Sequence, residues 1–424
     1  MLLDFTVENY RSFNALKSFS LEAQKLSETG KNNVFSISRY NILRSLAIYG
    51  ANSSGKSNLI MAMNTMKMCV LLSQKMTSVG NFPYDPFLLS HGDDNKPTLF
   101  EVSFLKNNTQ YRYGFRYTRT KIVEEWLFHK KTSRSNEKVL FIRNDEGLAV
   151  NNKEFAEGIL PPSVSLNDNK LLVALCDFLG GAISKEILSW FDKCFNVTSG
   201  IENSRYSTFS KEMFHQHSEV ASSAMKFFST LQLGFNDIVT REEEINLSNV
   251  PDKLKEFVLT SNNNNKRTVL TLESVHNVYD KEGNIKDTIN FSFDERESAG
   301  TEKLFDLSGP IFDTLQNGTI LVIDELDAKM HPLISQHIVS LFNSADANPN
   351  NAQLIFTTHD THLLSSKQLR RDQIWFTEKD DVEQTDLYCL TDIVLPDGSK
   401  PRNDANYERN YIKGRYGAIP YIND

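Results

Sequence analysis

The chain has 424 residues, 40% hydrophobic and 24% charged, the proportions of an ordinary globular protein long enough for two or three structural units. Its formal net charge of -8 argues against a strongly basic nucleic-acid coat and leaves only local basic patches open. The longest apolar runs, such as Leu171 to Cys176 and Ile320 to Ile323, are far too short to span a bilayer, and Met1-Leu2-Leu3-Asp4-Phe5 has neither the basic start nor the long apolar core of a signal peptide. Cys69, Cys176, Cys194 and Cys389 are scattered without metal-ligand spacing, so reduced thiols, a cytoplasmic location and no membrane partner are expected.

In chain order, Leu3, Phe5 and Val7 alternate with polar residues and predict a half-buried strand, with Ser18 to Ala23 as its partner. Arg44 to Tyr49 predicts a buried strand, followed by a glycine-bearing loop and then a helix with Leu59, Ile60, Met63, Met66 and Val70 on one face. Leu99 to Leu105 and Tyr111 to Tyr117 flank Lys106-Asn107-Asn108 and predict a hairpin. Ile122 to Phe128, Val139 to Ile142 and Leu148 to Val150 extend it to an antiparallel lobe. Residues 165–258 read as mostly helical, for example Ile183 to Phe195 and Lys211 to Leu231, and Ser261 to Lys266 reads as a polar loop tip. Thr268 to Val278 and Asp287 to Phe293 predict a further hairpin. From about Ser298 to Leu390 helices and strands alternate, as in a mainly parallel sheet. The expected division is therefore 1–98, the first part of a core; 99–150, an antiparallel β lobe; 151–266, a mainly helical insertion; and 267–424, the rest of the core.

Gly50-Ala51-Asn52-Ser53-Ser54-Gly55-Lys56-Ser57 fits G-x-x-x-x-G-K-[ST] between a predicted strand and a predicted helix. Glycines allow backbone N–H groups to curl around phosphate oxygens, Lys56 brings a point charge to the β- and γ-phosphates, and Ser57 offers a hydroxyl to Mg2+. Thr319-Ile320-Leu321-Val322-Ile323-Asp324-Glu325 is a buried strand ending in two carboxylates. Asp324 is placed to reach the Mg2+, and Glu325 to orient or deprotonate an attacking water. Leu354 to Thr358 delivers His359 to a strand end, where an imidazole can contact the γ-phosphate. Taken singly, Glu325 also fits a surface acid and His359 a structural histidine; the order of the motifs favours the functional assignment. Ser298-Ala299-Gly300-Thr301 opens a helix and suits an anion, although alone it is an ordinary N-cap.

That order of motifs, with Asn52 and Asn58 around the loop and Val7-Glu8-Asn9-Tyr10-Arg11-Ser12-Phe13 at the start, resembles ABC-type ATPases of the SMC, RecF and OLD-like branch. Asp324-Glu325-Leu326-Asp327, His331-Pro332 and the ending Tyr411-Ile412-Lys413-Gly414-Arg415-Tyr416-Gly417-Ala418-Ile419-Pro420 resemble the stand-alone AAA-family ATPases of bacterial defence and abortive-infection operons, the RloA and AbiL-like group. The resemblance implies an α/β fold: a P-loop NTPase with an ABC-ATPase-like head. It implies ATP and Mg2+ as ligands, with Gly50, Asn52, Ser53, Ser54, Gly55, Lys56, Ser57 and Asn58 around the phosphates. It also implies that Ser298 and Gly300 form a signature reaching the γ-phosphate of a partner copy, that Asp327 lies between two shared sites, and that His359 is a switch histidine. The signature reads Ser-Ala-Gly-Thr rather than the Leu-Ser-Gly-Gly-Gln of transporters. No glutamine stands where one usually follows the first helix, because Gln74 falls inside the helical pattern.

Three functions follow as expectations. The first is a nucleotide-gated homodimer, with higher assemblies open, that hydrolyses ATP and regulates an effector protein in antiviral defence. The second is a repair-type ATPase that binds DNA, for which Arg112, Arg116, Arg119 and Lys121 among Tyr111, Tyr113, Phe115 and Tyr117, followed by Lys130, Lys131 and Arg134, supply a local basic stretch. The same stretch is better read as a solvated outer face over a packed inner one. A transporter motor is the third and weakest, and the acidic cluster Glu378, Asp380 and Asp381 reads as a solvated turn.

Overall fold

A computed structural model describes residues 1–28, 31–90, 96–131, 136–199, 204–244, 268–365 and 367–420. The chain divides into two units, Met1–Ile201 with Asn317–Ala328 and Ser335–Asp424, and Glu202–Gln316 with Lys329–Ile334.

In the first unit the alternation of Leu3, Phe5 and Val7 produces β1 (Leu2–Glu8), whose inner residues are fully buried. It pairs antiparallel with β2 (Lys17–Ser20). A short hairpin, β3 (Val34–Ile37) and β4 (Tyr40–Leu43), precedes β5 (Ser45–Tyr49), an unbroken buried run of the kind a parallel strand requires. The phosphate loop connects β5 to α1 (Lys56–Leu72), which buries Leu59, Ile60, Met63, Met66 and Val70 as expected. Five strands follow: β6 (Thr98–Lys106), β7 (Thr109–Tyr117), β8 (Ile122–Lys130), β9 (Lys138–Asn144) and β10 (Gly147–Val150). They are antiparallel, but they do not form a separate lobe. β6 takes the free edge of β1, giving one seven-stranded sheet in the order β10-β9-β8-β7-β6-β1-β2.

Two short helices, α2 (Leu172–Phe178) and α3 (Ala182–Ser189), are each capped by a distant carboxylate. Glu125, fully buried, accepts from Leu172 N at 2.7 Å and Val173 N at 3.2 Å, and Glu157 accepts from Ile183 N at 3.0 Å and Ser184 N at 2.7 Å. The helix expected to continue to Phe195 instead ends at Ser189. A π turn, Trp190–Cys194, stacks Trp190 between Phe104 and Phe195 at 4.0 and 5.2 Å. Phe195 then opens β11 (Phe195–Ser199), so a strand of the parallel sheet lies inside the stretch expected to be a helical insertion. Five residues with apolar side chains at Phe195 and Val197 cannot be told from a helical turn by period alone.

The second unit contains α4 (Ser204–His215), α5 (Glu219–Leu231) and an antiparallel sheet of β12 (Asp237–Glu244), β13 (Thr268–Tyr279) and β14 (Ile285–Ser292). The single helix expected over Lys211 to Leu231 is broken because His217 turns left-handed (φ 49°) and Ser218 caps the second helix through Ala221 N at 3.2 Å. The loop Ser261 to Lys266 lies outside the described residues. The expected hairpin is β13–β14. Next comes α6 (Ala299–Asn317), which contains Pro310 and therefore lacks one N–H. The Asp306 carbonyl, four residues earlier, accepts instead from the buried Ser210 hydroxyl at 2.6 Å.

The chain then returns through β15 (Ile320–Asp324), α7 (Pro332–Asn343), β16 (Gln353–Thr357), the hairpin β17 (Ile374–Lys379) and β18 (Thr385–Cys389), and α8 (Tyr407–Ile412). The mainly parallel sheet runs β11-β15-β16-β5-β17-β18, with only β18 antiparallel. Gln353, fully buried, ties the two large sheets together by accepting from Leu2 N at 2.7 Å and donating to Leu2 O at 3.0 Å. No helix among the described residues is long and apolar enough to cross a membrane.

Candidate active site

β5, β16 and β15 are parallel neighbours, so the phosphate loop, His359 and the Asp324-Glu325 pair emerge at one end of one sheet. The loop is shaped by close approaches. Gly55 has φ 110°, and a Cβ there would collide with the Thr385 side chain; one at Gly50 would lie 2.5 Å from the Thr377 carbonyl. Ser54 is buried and shares a hydrogen bond of 2.7 Å with the Thr377 hydroxyl. Thr385 donates to the Ser54 carbonyl at 2.9 Å, its oxygen lies 2.7 Å from Ser12 Oγ, and Asn58 donates to that same serine at 2.7 Å. Asn52 and Ser53 are exposed at the crest, where Ser53 takes φ 64°.

Lys56 is buried, and its ammonium donates to the carbonyls of Gly50 and Ala51, both at 2.9 Å. Burial lowers its pKa, while Asp324, Glu325 and Asp327 pull it back up. The same groups meet at His359, which is exposed on the rim. Partial enclosure and then the Lys56 charge lower its pKa, against the three carboxylates. Lys56, Asp324, Glu325, Asp327 and His359 thus form one electrostatic cluster. Thr357, at the end of β16, organises it: its hydroxyl donates to Asp324 Oδ1 at 2.6 Å and accepts from Glu325 N at 2.7 Å. Glu325 is held left-handed (φ 55°), and the His359 amide donates to the Asp327 carboxylate at 3.3 Å.

Ser298 and Gly300 belong to the second unit. Ser298 is exposed, and its hydroxyl accepts from Thr301 N at 3.1 Å, so it caps α6 as a helix-start serine should. Gly300 passes close to the backbone, where a Cβ would lie 2.8 Å from the Lys329 carbonyl. Gln74 sits in a 3-10 turn (Ser73–Lys75) just beyond α1 rather than within it.

Sequence reasoning missed Thr357 as a site residue, along with Thr377, Thr385 and the Ser12 hydroxyl. Beside the loop, Arg11, Ser12, Asn58, Phe87, Lys379 and Glu383 line a cleft of about 440 Å3. On β7 the arginines are occupied. Arg112 contacts Glu101 at 2.9 Å and Glu137 at 2.7 Å, Arg116 contacts Glu8 at 2.9 Å and Glu124 at 3.3 Å, and Tyr113, Phe115 and Tyr117 are buried opposite. Arg134 lies outside the described residues. Asp380 accepts from Val382 N at 3.0 Å and Gln384 N at 3.1 Å, the turn expected, and no cluster of three or more His, Cys, Asp or Glu that could hold a metal by themselves occurs among the described residues.

The donor set fits a magnesium-bound nucleoside triphosphate: a glycine cradle too tight for side chains, a buried lysine, a hydroxyl at Ser57 and a carboxylate at the end of β15, one strand beyond β16 in the same sheet. Fold and site define an α/β P-loop ATPase of the AAA type. A family model described as "AAA domain, putative AbiEii toxin, Type IV TA system" matches residues 45–158 and 185–365, well over half of the chain, and the protein belongs to that family. No curated protein matches the chain. Among solved structures it is similar to the SMC head domain from Thermotoga maritima (11% identity, TM-score 0.40, covering 92% of this chain and 98% of that one). It is also similar to an Smc head bound to the C-winged helix domain of ScpA (13%, 0.39, 92% and 97%). A third is the Smc head with an extended coiled coil bound to the C-terminal domain of ScpA derived from Pyrococcus furiosus (12%, 0.38, 92% and 96%).

Proposed function

We propose that the chain is a nucleotide-gated dimer that hydrolyses ATP at sites shared between two copies and regulates an effector protein in antiviral defence. ATP with Mg2+ supplies the phosphoanhydride to be cleaved. Lys56 and the backbone of residues 50–58 hold the phosphates, Ser57 and Asp324 hold the ion, and the cleft beside Asn58 takes the nucleoside. Glu325 orients or deprotonates the attacking water, and His359 senses the γ-phosphate. The partner's Ser298 completes the site from the other copy, which turns the presence of a γ-phosphate into a closed dimer.

The observation that carries this reading is the convergence of Lys56, Asp324, Glu325, Asp327 and His359 on one sheet end, while Ser298 is left exposed at a helix start. The defence setting rests on the sequence resemblance; the toxin and TA wording of the family description points the same way. The carboxylate pairing of Arg112 and Arg116 occupies two of the cations that motivated a DNA-binding alternative and favours the nucleotide-gated reading over it. The test is the solution mass of Glu325→Gln with ATP-Mg2+ or ADP-Mg2+. A dimer with ATP that Ser298→Arg abolishes supports the shared site; a mass indifferent to nucleotide contradicts it.

A further inference from the structure

The C-terminal segment has no part in the mechanism above, yet it touches three elements of the site. Tyr407 is fully buried, and Tyr411 packs edge-on against Tyr49 at 5.8 Å and stacks on Phe376 at 5.5 Å. Tyr49 is the last residue before the phosphate loop. Its hydroxyl donates at 3.2 Å to the carbonyl of Asp360, the residue after His359. Glu408 grips the turn that follows: Thr361 Oγ1 donates to Glu408 Oε1 at 2.9 Å, and Glu408 N donates to Leu364 O at 3.2 Å. Beyond α8, Gly417 (φ 69°) lets the chain close over β17 and β18. Tyr388 donates to the Tyr416 carbonyl at 2.9 Å, and a Cβ at Gly417 would meet Glu378 at 2.6 Å. The segment therefore bridges the strand feeding the phosphate loop, the hairpin whose Thr377 and Thr385 pin that loop, and the turn carrying His359.

His359 itself has few restraints. It is exposed, and its main-chain anchor is the 3.3 Å bond to Asp327. Residues 360–364 are fixed by Thr358, whose hydroxyl accepts from Asp360 N at 2.9 Å, by Asp360, which caps His362 N at 3.0 Å, and by Glu408 from outside. We infer that residues 406–420 act as a clasp that sets the position of His359 relative to the phosphate loop, with Glu408 and Tyr411 as positioning residues. This rests on the γ-phosphate contact proposed for His359 during ATP hydrolysis.

The test is a double-mutant cycle read in single-turnover hydrolysis and nucleotide affinity. Glu408→Ala lowers the hydrolysis rate about tenfold and leaves ATP affinity unchanged, whereas Glu408→Gln, which keeps an acceptor for Thr361, stays within about twofold of the unaltered chain. Thr361→Val cuts the same bond from the other side and reproduces the loss, which guards against a folding defect in the glutamate variant. In a His359→Gln background, adding Glu408→Ala changes the rate by less than about twofold. An undiminished tenfold loss in that background, or an effect on affinity alone, would overturn the clasp. Absence of hydrolysis by the unaltered chain would overturn the underlying function as well, which separates the two failures.

Discussion

The candidate phosphate site of the first unit and the helix start at Ser298 in the second, proposed as a signature, are held in different ways. Around the loop, hydroxyls and carboxylates reach across strands from far along the chain: Ser54 meets Thr377 and Thr385, Asp324 meets Thr357, and His359 meets Asp327. At Ser298 the side-chain hydrogen bonds among the described residues are local, to Thr301, and the residue faces solvent. A group that must meet its target with little reorganisation gains from being pinned in advance. A group that must meet another copy has to stay exposed, and a local cap orients it without covering it. The contrast is the one the proposed shared site requires, with one signal on a sheet end and the other on an exposed helix start.

Thr357→Val should break the first side of this contrast most severely. It removes the donor to Asp324 and the acceptor for Glu325 N while keeping the shape of the side chain, so hydrolysis should fall by about 10- to 100-fold, as for partners that orient metal ligands. Activity within twofold of the unaltered chain would show that the strand ends hold Asp324 without it.

A smaller effect concerns pH. Because the pKa of His359 lies below the ordinary 6.5, its imidazole is neutral at pH 7, and the rate should stay level through neutrality and fall only as acid protonates the ring. His359→Gln should lose that acid limb and keep a low, flat profile; a limb that persists in the variant would assign it to another group.

On the second side, Ser298→Ala should cost only about 0.5–1 kcal/mol of thermal stability, the worth of an exposed N-cap, while lowering hydrolysis far more than that loss of fold. Equal small effects on both would reduce Ser298 to a cap.

Much of the candidate site was legible in the sequence because its residues are contiguous: eight residues of phosphate loop, a buried run ending in Asp324 and Glu325, a short strand ending in His359. The parallel sheet that gathers them followed from strand and helix alternation. Ser12, Thr377 and Thr385 were not legible as supports, because the hydroxyls of Thr377 and Thr385 act on residues 323 and 331 positions away and ordinary strand threonines carry no motif. Thr357 stood in plain view beside His359, but its role depends on the β15–β16 register, which pairs Ile323 with Phe356. The N-terminal strand's union with the antiparallel strands escaped for the same reason: strand period shows which face is buried and says nothing about which edge pairs.

The shared site is tested most directly by mixing two disabled chains. Lys56→Ala removes the phosphate-loop cation but keeps Ser298, and Ser298→Arg keeps the loop but blocks the signature. Each alone should hydrolyse ATP at background rate, and an equimolar mixture should recover on the order of a quarter of normal activity, from mixed dimers with one complete site. If the mixture stays at background, or if Ser298→Arg alone retains full activity, each chain works by itself and the composite site is wrong.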